Sequence, residues 1–396
     1  MTQAATASAG WDFYTPQVNA DPHPLLASIR NSGRAIWHDT YQSWIVPHYD
    51  DIVAICRDEK NFTMKGGIVS HNFGRYSLLA QDGKLHRAIR SVWNAAFLKQ
   101  ALERLVPQIA ATSQRLIAPA AERLAAGEEV DMAPVNRALP VEITAILLGV
   151  PEEHYASFAG WSDDITHMTG YALPPEHPVE VRRVKAQTEV ANLLREEIAR
   201  RRRHPQDDLI GRMVASGIED QIGEEGMVDN CRLLLVAGNE TTANWFGHTM
   251  VLLGRHPAIQ REVRADRSLL PGALEEALRY DHVTHFAFRR AQTDDALVGG
   301  VPIPNGDQVI MIYGAANRDP DRWDNPDAYD IRRDTEGHVG FGHSFHTCMG
   351  KELARLEGKG YFNTLFDLTR HYALGEVDYG ISFPLRGPQK LMIRQA

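Results

Sequence analysis

Apolar positions recur at helical spacing through most of the stretch from about residue 82 to residue 250, most regularly over 102–126 and 179–203. That spacing predicts long helices, each with one buried face. Ahead of it the pattern is mixed. Residues 43–47, Ser-Trp-Ile-Val-Pro, read as a strand, and 49–57 read as a short helix. Residues 61–80 carry Gly66, Gly67 and Gly74 among Phe62, Phe73 and Tyr76 without a period, which predicts a long loop. Long loops inside compact domains usually serve a function. After Asp281 the chain turns to strands: 296–301 and 309–313 flank Pro304-Asn305-Gly306-Asp307 and read as a hairpin. Residues 316–340 read as an irregular meander. Helix resumes after Gly350, and short strands around 381–383 and 390–393 close the sequence. The expected fold class is mainly α with small β-sheets at one side.

Composition narrows the partners. The chain has 396 residues, 43% hydrophobic, and a net charge of −9, so a substantial core is within reach and a general nucleic-acid binder is not indicated. The run Arg200 to Arg203 stands just before His204-Pro205 and reads as cations at a helix C-terminus, not as a nucleic-acid site. Residues 1–10 are small and polar, with no apolar signal region, and are expected to form a flexible tail on one domain spanning 11–396. No apolar run reaches the ~18 residues of a membrane span. Cys56, Cys231 and Cys348 lie far apart with no paired spacing, so no disulfide framework is implied and a reducing, cytoplasmic setting fits.

The chemistry concentrates in residues 340–350, Gly-Phe-Gly-His-Ser-Phe-His-Thr-Cys-Met-Gly. Gly342 and Gly350 remove side chains where backbone must come close. Phe341 suits a ring face, and His346 suits an acidic edge group. Heme iron is one of the few partners that takes a single cysteine thiolate. Three other readings stay open on this loop alone: Cys348 as a small buried hydrophobe, His343, His346 and Cys348 as zinc ligands, or a Cys/His nucleophile pair.

The segment resembles the heme-binding loop of the cytochrome P450 family, Phe-Gly-x-Gly-x-His-x-Cys-x-Gly, with Phe341, Gly342, His346, Cys348 and Gly350 in register. Ser344 stands where that family has Gly. If the loop needs a positive φ there, serine carries a cost of about 1 kcal/mol or more. Residues 237–242, Ala-Gly-Asn-Glu-Thr-Thr, resemble the family's oxygen-binding helix. The resemblance implies that Gly238 makes room over the iron, Thr241 donates to dioxygen and Glu240 passes protons. Glu276 and Arg279 match the family's Glu-x-x-Arg ion pair, with a third basic member expected at Arg318 or Arg332. His86, Arg90, Arg290 and His346 match positions that bind the heme propionates. By the same resemblance Phe62, Phe73, Tyr76, Ala237, Phe286 and Phe383 line the substrate pocket.

Taken together the resemblance implies a single P450 heme domain holding heme b through an axial Cys348 thiolate. It implies a monooxygenase that puts one oxygen atom of O2 into a small hydrophobic, possibly aromatic, substrate by hydroxylation or O-demethylation. The sequence has no Gly-x-Gly-x-x-Gly, so electrons are expected from a separate ferredoxin or flavodoxin with its reductase. Lys84, Arg87, Lys351 and Arg355 are candidates for its docking patch. A peroxide-using heme-thiolate enzyme and a non-enzymatic heme or zinc ligand-binding protein are the competing classes.

Overall fold

The structure is a computed structural model, and it describes residues 10–66, 73–166, 174–381 and 384–396. The helices that build the core are α1 (Gly83–Asn94), α2 (Val106–Ala125), α3 (Ala133–Leu148), α4 (Pro178–Arg203), α5 (Glu219–Arg255), α6 (Leu270–Tyr280) and α7 (Lys351–Leu368). The predicted helix over 102–126 is two. Lys99–Glu103 ends before α2, because Pro107 has no N–H to continue the ladder and sits in the first turn of α2 instead.

Helix α5 runs through the middle. From Met227 to Leu253 nearly every side chain is buried, on all faces, as expected of a helix enclosed by others. On one side Phe246, Met250 and Leu253 pack with Ile109, Ile143, Leu274, Tyr361 and Leu365. On the other, Leu235 and Val236 pack with Ile89, Trp93, Val141, Val190 and Leu194. Each such side chain contributes about 1.5–3 kcal/mol by leaving water. Gly223, at φ 67°, ψ 176°, interrupts α5 near its start. The Gly-Asn-Glu-Thr-Thr segment causes no break.

The strands are β1 (Ile36–His38), β2 (Ser43–Val46), β3 (Phe62–Thr63), β4 (Val130–Asp131), β5 (Phe286–Ala291), β6 (Leu297–Val298), β7 (Val301–Pro302), β8 (Gln308–Ile312), β9 (Tyr372–Asp378) and β10 (Lys390–Gln395). The main sheet runs β1-β2-β8-β5-β3. The expected hairpin between 296–301 and 309–313 does not form. Gly299 and Gly300 take positive φ and turn β6 onto β7, whereas β8, buried at four of its five positions, enters the sheet between β2 and β5. At the end of the chain β9 and β10 pair, and Ile381 lies in a bend between them.

A buried polar knot ties distant segments behind α5. The Arg386 guanidinium meets the Asp281 carboxylate at 2.5 Å and donates to the carbonyls of Asn19 and Ala20. His248 of α5 lies 2.8 Å from Asp281 through Nδ1, and its Nε2 is 2.9 Å from the Arg386 carbonyl. Burial alone would raise the Asp281 carboxyl, but Arg386 and His248 hold it well below the usual carboxylate range.

Glu357, on α7, has no such company. It is 1% exposed, one carboxyl oxygen lacks a partner, and burial pushes its pKa well above the ordinary value. The folded state therefore keeps a proton that the unfolded chain releases above about pH 4.3. Stability from this group falls as pH rises, by up to about 1.4 kcal/mol per unit, until the folded pKa is passed. Glu357→Gln removes that slope. Its melting temperature is expected to exceed the parent's by more at pH 8 than at pH 5, and equal differences at both would refute the assignment.

Candidate active site

Cys348 lies three residues before the first residue of α7, and its N–H donates to the Phe341 carbonyl at 2.7 Å. The thiol sits deep in the protein, yet it is accessible to a water-sized sphere. A thiol both accessible and ringed by protein faces a recess. Cys56 and Cys231 are buried among core side chains instead. Burial pushes the Cys348 thiol up, opposed by the Gly350 N–H and the charges of Arg90, Lys351 and Arg355. Gly342 takes φ 72°, and Ser344, at φ 60°, occupies the left-handed region that serine disfavours.

That strain makes Ser344→Gly a stabilising change. Relief of about 1–2 kcal/mol in the loop outweighs the ~0.4–1 kcal/mol of added freedom in the unfolded chain. A net gain of about 0.5–1 kcal/mol is expected in denaturant unfolding, and an unchanged or lower midpoint would contradict it.

Helix α5 presents a matching face. Leu234, Gly238 and Thr241 are half-buried and Ala237 is exposed, although 235, 236, 239, 240 and 242 around them are buried. The spacing i, i+3, i+4, i+7 puts the four on one side. The thiol loop reaches this helix through Phe341, whose ring meets Trp245 edge-on at 5.8 Å. The Thr241 hydroxyl donates to the Ala237 carbonyl at 2.8 Å. Glu240 is buried and accepts from Asn244 Nδ2 at 3.2 Å. A side chain at Gly238 would collide with Thr144 Oγ1, so the glycine serves the close approach of α3 to α5.

Basic groups gather at the edge of the thiol loop. Arg90 donates to the Thr347 carbonyl at 2.8 Å. His86 is 2% exposed, its Nδ1 has no partner, and burial with the nearby charges of His346 and Arg90 lowers it to about 4. Its ring lies 4.3 Å from that of His346. His346 meets Asp82 at 3.1 Å. Burial would raise the Asp82 carboxyl, but bonds from His346, Thr63 and the Met64 N–H hold it at about 2. Arg290 and Arg289 alternate across β5. Arg290 donates to the Gly306 carbonyl, whereas buried Arg289 is the one whose charge reaches His346. The charge chemistry thus fits a flat group with acidic edges: an orphaned buried imidazole nitrogen, a second histidine and two arginines flank an accessible thiol.

Beneath the loop, Arg279 forks onto Glu276 at 2.7 and 2.8 Å, and both are fully buried. The third basic member is Arg333, at 3.1 Å from Glu276. Arg318 pairs with Asp327 and Arg332 with Glu262, so neither expected residue takes that place. A second fork went unnoticed in the sequence. Arg355 grips Glu275 at 2.8 and 2.9 Å and lies over the Phe341 ring at 5.0 Å, which ties α6, α7 and the thiol loop together.

Several expected site residues sit elsewhere. Phe62 is core beneath the main sheet, and Phe286 packs edge-on to Phe13 at 4.9 Å. Their side chains fill cores, which is what alternation on a buried strand dictates. Phe383 lies outside the described residues, whereas Phe73 and Tyr76 join the cluster that includes Leu234. The trio His343, His346 and Cys348 does not converge. Among the described residues the sets of three potential metal ligands are His48, Asp319, Asp321 and Glu59, Asp82, His346. No described helix is long and apolar enough to cross a membrane.

Comparison with known proteins gives the same reading. The chain is 34% identical to the cyclomarin C epoxidase CymV of Salinispora arenicola, over 88% of this chain and 90% of that protein. It is 32% identical to the vitamin D(3) 25-hydroxylase of Pseudonocardia autotrophica, over 99% and 98%. Among solved structures it resembles CYP109E1 from Bacillus megaterium in complex with testosterone, with TM-score 0.87, 28% identity, and 96% and 99% of the two chains covered. P450BioI in complex with a fatty-acid-ligated acyl carrier protein gives TM-score 0.86 and 27% identity over 96% and 99%. The Cytochrome P450 family model matches residues 35–368, so the chain belongs to the cytochrome P450 family, the heme b monooxygenases with an axial cysteine thiolate.

Proposed function

We propose that Cys348 would hold the heme iron through its thiolate and that the protein inserts one oxygen atom of O2 into an apolar organic molecule held against the 234–241 face of α5. One observation carries this reading: the one accessible cysteine lies deep in the protein, in a loop packed on the helix that bears the accessible stripe. When bound, heme supplies the redox chemistry that activates dioxygen. The chain's own residues do the rest. His86, Arg90, His346 and Arg289 would hold the propionates, with Arg289 in the role expected of Arg290. Asp82 orients His346. Buried Glu240 passes protons inward, and the Thr241 hydroxyl relays them after letting go of the Ala237 carbonyl.

Ala237, Leu234, Phe73 and Tyr76 supply an apolar lining. With Phe62 and Phe286 in the core, the lining holds fewer aromatic rings than the sequence implied. An apolar substrate suits it, and relatives named as hydroxylases and an epoxidase act by the same insertion chemistry. Electrons come from a separate ferredoxin or flavodoxin. A groove of about 730 Å³ under the thiol loop, lined by Phe341, Lys99, Lys351 and Lys359 with Asp334, Glu336 and Glu352 at its side, is its docking place. Arg355 is committed to Glu275, and Arg87 lies 3.6 Å from Glu59, which leaves the lysines to meet an acidic partner.

The test is turnover of the holoprotein with a ferredoxin, its reductase and ¹⁸O2, using testosterone and a methoxybenzoate as trial substrates. One ¹⁸O atom in a hydroxylated product, or formaldehyde released from the ether, is expected. Turnover that needs only peroxide and ignores the reductase would replace this reading with the peroxide-using one.

A further inference from the structure

Residues 73–80 form a loop whose backbone is gripped from α5. Asn230 is fully buried. Its Oδ1 accepts from the Leu78 N–H at 2.7 Å, and its Nδ2 donates to the Tyr76 carbonyl at 2.8 Å. One amide thus offers residues 76 and 78 the acceptor and donor that a neighbouring strand would offer. Nδ2 also donates to the Gly226 carbonyl at 2.7 Å, which fixes the amide's own orientation.

The neighbouring turn of α5 completes the grip. Asp229 accepts from the Tyr76 N–H and is paired with Arg232 at 2.9 Å. Its carboxylate occupies the space into which a side chain at Gly74 would project, and Gly74 takes φ 87°. At Gly226 a Cβ would come within 3.1 Å of Tyr76 Cβ. Positions 226, 229 and 230 therefore clasp residues 74–78.

The place of this clasp on α5 gives it a role. Positions 230, 234, 237 and 241 share one helix face. Asn230 thus stands one turn before the accessible stripe on the same face, and the backbone of residues 76–78 that it holds lies at that end; Tyr76 packs at Gly226 and, with Phe73, joins the hydrophobic cluster that Leu234 adjoins. An apolar residue at 230 would leave the Leu78 N–H and the Tyr76 carbonyl without partners under the protein surface, and the loop would leave its place to find water.

We propose that Asn230 is a positioning residue for substrate selection: by fixing residues 74–78 on α5 it holds Phe73 and Tyr76 at the pocket end and so decides which molecules fit. The proposal rests on the function proposed above. It does not place Asn230 in contact with substrate.

Two iron ligands test it on the holoprotein. Imidazole and 4-phenylimidazole both bind heme iron through a ring nitrogen, but only the phenyl group extends into the pocket. In Asn230→Ala the affinity for 4-phenylimidazole is expected to fall by about tenfold, because the released loop must be put back in order when the phenyl group enters. Imidazole should bind as before. Asn230→Asp keeps the acceptor for Leu78 and loses the donor for Tyr76, so a selective loss is expected there too. Unchanged affinity for both ligands, or an equal loss for both, overturns the proposal. Failure of the unaltered protein to show a spectral shift with either ligand would instead overturn the heme reading. Should both variants fail to fold, hydrogen exchange on the unaltered holoprotein decides. The Leu78 amide is expected to be protected like the amides of α5, and exchange as fast as in an unstructured peptide overturns the clasp.

Discussion

Replacing Cys348 by histidine is expected to abolish monooxygenase turnover while the chain keeps its fold. The fold is insulated from this change because the thiol belongs to none of the hydrophobic clusters and the loop is held by backbone bonds, Cys348 N–H to the Phe341 carbonyl among them. The chemistry is not insulated. A thiolate pushes electron density that favours O–O cleavage, and a neutral imidazole does not. A fall of at least about a thousandfold in turnover is expected, roughly 4 kcal/mol in the barrier. The reduced carbon monoxide complex reports the same change directly. The parent should show a strongly red-shifted Soret band and the histidine variant an ordinary one. A variant that keeps the red-shifted band, or its turnover, would remove Cys348 from the iron.

The largest expected effect on stability is at Arg279. Its guanidinium makes two buried bonds to Glu276, donates to the buried carbonyl of Asn317, and reaches the part-buried carbonyls of Pro326 and Ala328. Arg279→Ala leaves Glu276 with Arg333 and the Asp330 N–H, and takes the side-chain donor from the carbonyls of Asn317 and Pro326. Breaking a buried pair from one side costs about 3–5 kcal/mol, a large share of the ~5–15 kcal/mol that holds a domain together. Arg279→Lys should fare little better, because an ammonium has no fork to span two oxygens and three carbonyls. Denaturant unfolding and heme content after expression measure the loss. Soluble Arg279→Ala with the parent's midpoint and full heme would show that the pair is ornamental.

What could be read from the sequence was whatever is local. The thiol loop, the oxygen helix and Glu276-x-x-Arg279 are short segments whose spacing alone sets their geometry, and helices such as α4 announced themselves by period. Choices that depend on distant packing were out of reach. Arg289 and Arg290 differ only in which side of β5 they face, and that parity is set by β5 pairing with β8 and β3. Arg333 takes the place expected of Arg318 or Arg332 because the meander has no period from which to count. Ser344 was different: the expectation of a positive φ came from the position of a missing glycine, and the loop has φ 60° there. Asn230 gave no signal, since a lone asparagine in an apolar helix resembles any other.

The knot around Asp281 has a consequence for how the chain is made. Its members are drawn from residues 19–20, 248, 281 and 386, so contacts of very long sequence separation close it. During synthesis from the N-terminus, Asp281 and His248 emerge well before Arg386, which lies near the end of the chain. Until then the carboxylate lacks its main cationic partner, and the segment 384–388 is not there to cover the side of α5 at Asn244 and Gly247. The stretch around Arg386 therefore fastens the side of α5 only after the helices it joins have been made, so the knot closes late and holds segments that had already folded.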